Sequence, residues 1–555
     1  MEVHIGPQDL LWEIVPMWLV VIVSIMASIC VWGGVLKEKR EPPKDARSEM
    51  IKTLMCYLFA LLAYGYCLYA PNIITNDVHH MTAALASIHN VAVDTPFNIK
   101  TTGIYGHYAI FFWPFLKLFG HKAIAVAVMI SCVGVLSEIF LMYAIHYTIR
   151  SNVIRRVAAL ASAMFVVAIG QKAYFQLNPL RMLPPTLMMA YVVWLRKDTK
   201  HCLKAKLIAG YGLCALCVTW ITDVGIIAAI AYSAWIVCYF WQHETIFSKK
   251  MLGIYAGVGL GTIVSVLGMV FLVNFYNVAI CHARPVFRAC FFPFVGGNGF
   301  AEGGSFAESL QIPVLWENFS WIYVLLLFFV GIAKGMSDTK VLQGQYAENR
   351  REDVLFLCAV MGLGQSGYYF NRAVYGSLGI VLPEAVICMG IMASWLVAES
   401  EKHDDFSAAK AIQKGVSTVV LAQLAVLAVA SILIAGDGVR RRTEASLFDL
   451  TPLYQTAEKV KIKIPKDTYA VGGGVAEIYA ELGWDPGYHY RDVSDFWGDG
   501  IEEIREEINS QSAILVNSID AYLRKLLDNP DEWQLVDTIE MYNVTLDYYV
   551  KKTGK

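Results

Sequence analysis

A polytopic α-helical membrane protein of about twelve transmembrane helices, with a small extracytoplasmic α/β domain at its C-terminus, is the fold class that the sequence predicts. Three observations predict it. Of 555 residues 56% are hydrophobic and only 17% charged, and the mean hydropathy is +0.48, well outside the balance of soluble domains. Apolar runs recur over residues 1–435, and the short loops between them alternate between rich and poor in Lys and Arg. From 436 to 555 the chain becomes acidic, lacks cysteine and reads as soluble.

The first apolar run, 14–35, is longer than a signal-peptide core and has no basic residue in front of it, so it reads as a retained span. Further spans are expected at 51–70, 122–149, 157–170, 179–195, 207–219, 224–241, 252–276, 313–333, 353–370, 374–397 and 411–435. Several fall short of the ~20 residues of a full crossing. The loops test the count, because short cytoplasmic loops carry the excess Lys and Arg. Lys37, Lys39, Arg40, Lys44, Arg47 and Lys52 mark one side, and Arg150, Arg155 and Arg156 fall on the same side. So do Arg196, Lys197, Lys200, Lys204 and Lys206, then Lys249 and Lys250, then Lys334, Lys340, Arg350 and Arg351, and finally Lys402, Lys410 and Lys414. Both termini fall on the opposite, extracytoplasmic side.

Charge also excludes a class. The net charge of -2 and the crowding of acids into the last 120 residues leave no basic surface for nucleic acid. The 12 cysteines lie mostly inside apolar runs, and Cys214-x-x-Cys217 without two further ligands reads as helix packing, not zinc.

The same topology gathers the unusual residues on the outer face: Asp77, His79 and His80, the polar turn 171–178, Asp223, the loop 276–312, Asn371-Arg372 and the domain after 436. Asp77 follows a hydrophobic span directly, and a charge kept where a multi-pass chain leaves the bilayer marks a functional site by default. Segment 101–120 is apolar yet cannot cross without inverting every later loop. It is expected to lie along the outer surface as an interfacial helix, an orientation suited to Tyr105, His107, Tyr108, Trp113 and Lys117. A re-entrant hairpin is the alternative. Either way the first outer loop, 71–120, is a structured element.

In the C-terminal domain, 468–474 reads as a strand entering a glycine turn, 475–483 and 500–509 as helices, and 512–516 as a second strand. Gly472-Gly473-Gly474 is not G-x-G-x-x-G and has no acidic partner at the expected distance, so no nucleotide site follows. Asn318-Phe-Ser320 and Asn543-Val-Thr545 are formal glycosylation triplets of a kind that arises often by chance.

The order of these features resembles a known superfamily. An acid just past a membrane helix is followed by YGHYAIFFWPFLKLFG (105–120), Pro179-Leu-Arg181-x-x-Pro184, Trp220-x-x-Asp223-x-Gly225, Tyr368-Tyr369-x-Asn371-Arg372 and an outer α/β domain. The arrangement, over most of the chain, is similar to the integral-membrane glycosyltransferases of the GT-C superfamily. The resemblance implies transfer of a sugar from a polyprenyl-phosphate donor to a glycan or lipid acceptor at the outer membrane surface, as in building a cell-envelope polysaccharide at the plasma membrane. It implies Asp77 as the general base that takes the acceptor hydroxyl's proton, a role worth ~10²- to 10⁴-fold in rate.

Many members carry two adjacent acids in this loop, whereas Asn76 precedes Asp77 here, so Asp94 and Asp223 are the candidates for a second carboxylate. The leaving phosphate calls for guanidinium, which is permanently charged and binds phosphate through two parallel hydrogen bonds. Arg372 is the first candidate, followed by Arg284, Arg288 and Arg181. His79, His80, His107 and Tyr105 are candidates for acceptor or phosphate contact. No three-ligand metal spacing is visible, which leaves the cofactor open, a divalent cation included. A transporter or lipid-carrier flippase is the competing class, expected to show mid-span charges and an internal repeat. The chain has no detectable repeat, and its polar residues lie at the outer edge, apart from Glu138 and a few others. An accessory subunit is the third class.

Overall fold

The computed structural model describes residues 17–40, 45–67, 87–97, 99, 106–163, 180–198, 200–241, 244–291, 320–341, 352–371, 375–399, 408–443, 451–471, 475–484, 490–491, 501–517, 527, 529–541 and 544–552. Each of the twelve apolar runs contributes helix. In chain order these are α1 (Met17–Arg40), α2 (Ala46–Cys67), the short surface helix α3 (Ala109–Phe119), α4 (Ala123–Thr148), α5 (Asn152–Ser162), α6 (Leu183–Lys197), α7 (Leu203–Trp220), α8 (Thr222–Trp241), α9 (Lys249–Phe275), α10 (Ser320–Val341), α11 (Glu352–Asn371), α12 (Leu382–Glu399) and α13 (Ala408–Thr443). Among the described residues six helices are long and apolar enough to cross a membrane: Ile124–Thr148, Leu203–Trp220, Thr222–Trp241, Lys249–Ile280, Leu378–Val397 and Ala411–Leu433. The chain is a helical, multi-pass membrane protein with a small sheet.

Packing between helices relies on small residues, since lipid offers no hydrophobic drive for helices to associate. A Cβ on Gly362 of α11 would lie 2.2 Å from the Phe328 ring of α10, so glycine there lets the two backbones approach. Buried polar groups add to the fit. Glu138 of α4 accepts from Ser162 of α5 at 2.6 Å, and Gln365 of α11 donates to Glu384 of α12 at 2.5 Å. Both acids are buried inside the bundle, so Glu384 joins Glu138 among the acidic groups within the spans.

One end of the bundle is fixed by charge. Glu38 accepts from Ser151 Oγ at 2.6 Å and from Asn152 N at 2.8 Å, placing a carboxylate at the positive end of α5. Arg156 pairs with Glu49 at 2.8 Å. Arg196 at the end of α6 pairs with Asp353 at the start of α11, and Trp235 of α8 donates to the same carboxylate at 3.3 Å.

Beyond α13 come α14 (Thr451–Lys463), β1 (Tyr469–Val471), α15 (Val475–Leu482), β2 (Tyr490–Arg491), α16 (Ile501–Ser510), β3 (Ala513–Asn517), β4 (Trp533–Met541) and β5 (Val544–Lys551). The sheet order is β2-β1-β3-β5-β4. β1 runs parallel to β2 and β3 with Ala470 opposite Leu515, while β5 is antiparallel to β3 and β4 with Leu515 opposite Tyr548. Lys122, just before α4, pairs with Glu481 of α15 at 3.1 Å, and one apolar core joins Tyr108 and Phe112 to Tyr479 and Leu515.

The expected helices 475–483 and 500–509 and the strand 512–516 correspond to α15, α16 and β3. β4 and β5 were not expected. A bulge between Leu535 and Asp537 shifts the register of β4 and breaks the two-residue alternation that marks a strand. α13 also continues to Thr443, eight residues past the expected end at 435, because charge does not stop a helix where the apolar run stops. Of segment 101–120 the structure describes 106–120, where the helix runs Ala109–Phe119 with Ala109, Phe112 and Leu116 buried and Phe115, Leu118 and Phe119 turned outward.

Candidate active site

Three of the sequence motifs meet at the end of the bundle opposite the Arg196–Asp353 pair. Arg181 lies in a 3-10 turn, Leu180–Met182, that leads into α6, where Pro184 near the helix start presets φ and needs no N–H partner. Asp223 occupies the first turn of α8, the positive end of that helix dipole. Arg181 Nη1 donates to Asp223 Oδ2 at 2.5 Å; Arg181 is 1% exposed and Asp223 21%. The guanidinium lies over the Tyr368 ring of α11, 4.6 Å from its centre.

The α7–α8 hairpin aligns the pair. Ile221 is extended between the two helices, and Trp220 Nε1 donates to the Leu180 carbonyl at 2.8 Å, tying the hairpin to the Arg181 turn. Tyr108, Phe111 and Phe112 surround the Trp220 ring at 5.6–6.1 Å between centroids. Gly106 has a φ of +118°, and a Cβ there would lie 2.7 Å from Trp220 O and Ile221 Cα. Only glycine lets the first loop press onto the hairpin, and His107 N then donates to Thr219 O at 3.0 Å.

The remainder of the described loop is anchored from α9. After Phe275 the helix widens into a π turn, Tyr276–Ile280. There Asn277 Oδ1 accepts from Phe97 N at 2.8 Å and its Nδ2 donates to Phe97 O at 2.9 Å, while Tyr276 donates to Thr95 O at 3.2 Å. One turn earlier Asn274 holds Val286 in the same way, at 2.6 and 2.7 Å. Sequence reasoning passed over both asparagines; the available signal was two amides at the end of a long apolar run.

Asp94 sits in the left-handed region at φ 58°, and its two oxygens accept from Trp113 Nε1 and Lys117 Nζ, both at 2.8 Å. As a carboxylate it therefore ties the loop to α3. His107 is buried, and burial pushes its pKa down to about 4, so at neutral pH it is an uncharged group and brings no cation to a phosphate. Arg284 and Arg288 are exposed after the π turn, Arg288 in a 3-10 turn Arg288–Phe291, and neither has an ion-pair partner among the described residues. Asp77, His79, His80, Tyr105 and Arg372 lie outside the described residues. So do the polar turn 171–178, the glycines 472–474 and both glycosylation asparagines. Among the described residues no cluster of three or more His, Cys, Asp or Glu could hold a metal ion.

No protein-family model matches the chain, and no curated protein sequence matches it. Among solved structures it is similar to the crystal structure of the Archaeoglobus fulgidus oligosaccharyltransferase in the apo form, at 12% sequence identity. The match covers 87% of this chain and 69% of that one, with a TM-score of 0.42.

Proposed function

We propose that the chain is a GT-C-type membrane glycosyltransferase, moving a hexose or pentose from a polyprenyl-phosphate donor to a glycan or lipid acceptor on the extracytoplasmic face. The reading takes residues 1–435 as a twelve-crossing transferase domain, with 71–120 as its structured outer loop and 436–555 as an outer α/β domain. The observation that carries it is the convergence of the first loop, the α7–α8 hairpin and the Arg181–Asp223 pair at one end of the helices.

In this reading Asp77 removes the acceptor hydroxyl's proton as that oxygen attacks the anomeric carbon and the bond to the carrier phosphate breaks. Two local facts support giving Asp77 this role. Asp94 is held by Lys117 and Trp113, and Asp223 by Arg181, so each already has a cationic partner. A base must be free to take a proton, and an ion pair opposes that. The leaving phosphate falls to Arg372 together with the exposed Arg284 and Arg288, since the charge of Arg181 is matched by Asp223. Release of free polyprenyl phosphate from a sugar-loaded carrier by the purified protein tests the proposal, and no release above a no-enzyme control with any acceptor overturns it.

A transporter or flippase is the second reading, favoured by Glu138 and Glu384, buried acids on bundle helices. Passage of intact carrier across vesicles without loss of its sugar would favour it over transfer.

A further inference from the structure

On the lipid-facing side of the bundle, α7 and α9 border an open groove of about 900 Å³. Its walls are apolar, with Ile208, Leu260 and Val264 more than half exposed, and its floor holds Gly212, Gly257 and Gly261. Lys204 is the charged residue in the wall. The groove follows α7 from Leu203 to Ala215 and α9 from Ile254 to Gly268, which at ~1.5 Å per residue is roughly 18–21 Å. One leaflet of hydrocarbon is ~15 Å deep, half of a core ~30 Å thick. The groove thus has the depth of a single lipid, beginning at the Lys204 end.

That end carries cations the protein does not match. The first turns of α7 and α9 contain Lys204, Lys206, Lys249 and Lys250 and no acid. The helix dipole disfavours positive charge there, so helix stability gives no reason for the lysines. Lys206 is met by Asp198 and Lys250 by Glu244, whereas Lys200, Lys204 and Lys249 have no carboxylate in ion-pair range among the described residues. The loops at this end are the Lys- and Arg-rich ones, which face the leaflet with anionic lipid headgroups.

We propose that the groove holds one anionic glycerophospholipid of that leaflet, an acyl chain along the glycine floor and the phosphate at Lys200, Lys204 and Lys249. The inference stands whether or not the chain transfers sugar. A zwitterionic phospholipid would fill the same space but bring a second cation beside its phosphate, and so no net negative charge to the three lysines. A Cβ on Gly212 or Gly257 would meet nothing within 4 Å, so both positions open onto the groove and leucine there would take up its space, and leucine favours helix over glycine.

Native mass spectrometry of the full chain in neutral detergent, titrated with dioleoyl phosphatidylglycerol or dioleoyl phosphatidylcholine, tests the proposal. One phosphatidylglycerol should be retained about 10-fold more tightly than phosphatidylcholine, and either Gly212→Leu with Gly257→Leu, or Lys200→Gln with Lys204→Gln and Lys249→Gln, should weaken it about 10-fold or more. Equal retention of the two lipids, or unchanged affinity in the variants, overturns it. So does displacement of phosphatidylglycerol by equimolar polyprenyl phosphate, which would give the groove to the carrier. Should the leucine variant fail to fold, the surface-lysine variant decides.

Discussion

Arg181 and Asp223 form an ion pair at 2.5 Å between the entrance to one helix and the first turn of another, with the guanidinium buried and the carboxylate one-fifth exposed. Removing one partner strands a buried charge, whereas removing both does not. Asp223→Leu, which leaves the buried Arg181 without its carboxylate, should therefore cost about 3 kcal/mol or more of stability, and Arg181→Met with Asp223→Leu clearly less than Asp223→Leu alone. Thermal unfolding in one detergent checks the order, and a double variant weaker than Asp223→Leu refutes it.

Asp77→Asn should lower sugar transfer at least ~10²-fold while carrier affinity changes little. Asp94→Asn should leave most turnover and loosen the loop, since Trp113 and Lys117 lose their carboxylate. Kinetics of the two variants in parallel decide, and near-normal transfer by Asp77→Asn moves the base elsewhere. Arg372→Lys, retaining charge without the two-pronged donor, should recover only part of what Arg372→Ala loses.

The three motifs that meet around Arg181 were legible in the sequence because each contains a polar residue at the end of an apolar run. What they meet was not. Nothing in the spacing of Arg181, Asp223 and Tyr368 says they touch; that follows from the packing of α6, α8 and α11 and from the Trp220–Leu180 hydrogen bond, contacts between distant parts of the chain. The helices were visible through continuous hydrophobicity, while β4 was hidden by its bulge and Glu384 by its apolar neighbours.

Acid should destabilise the end of the bundle that holds the Arg181–Asp223 pair selectively. Burial pushes His107 down to about 4, and burial with the neighbouring His121 pushes His89 down to about 3, so the folded state keeps both neutral. An unfolded histidine takes a proton near pH 6.5. Below that the unfolded chain binds more protons, so stability is full above pH 6.5 and is lost as pH falls toward 4, by on the order of 3 kcal/mol for His107 alone. Unfolding temperature against pH should show this slope, and His107→Phe should flatten it.

Cys202 gives a test of orientation. It is exposed before α7, and the Ala205 and Lys204 backbone N–H groups lower its thiol pKa, so maleimide should react with it readily. An impermeant maleimide should label Cys202 only from the cytoplasmic side, and cysteine at the exposed Ser512 only from outside. Labelling of both from one side would undo the assignment of the outer face.

Asn277 and Asn274 each act as a one-residue strand, since a side-chain amide offers a donor and an acceptor with the spacing of a peptide group. Asn277→Asp removes the donor and sets a carboxylate against Phe97 O. It should cost about 1–3 kcal/mol, read as earlier proteolysis of the first loop.

A clasp that grips main chain is indifferent to the side chain it holds. Positions 97 and 286 are fixed in place by their peptide groups, and the buried Phe97 ring packs on His107 and Tyr276, so the side chains free to vary are those of the loop outside these two anchors. The framework around the candidate site could thus be refitted to a different acceptor by changing what the loop displays while the register of the loop on the bundle stays the same.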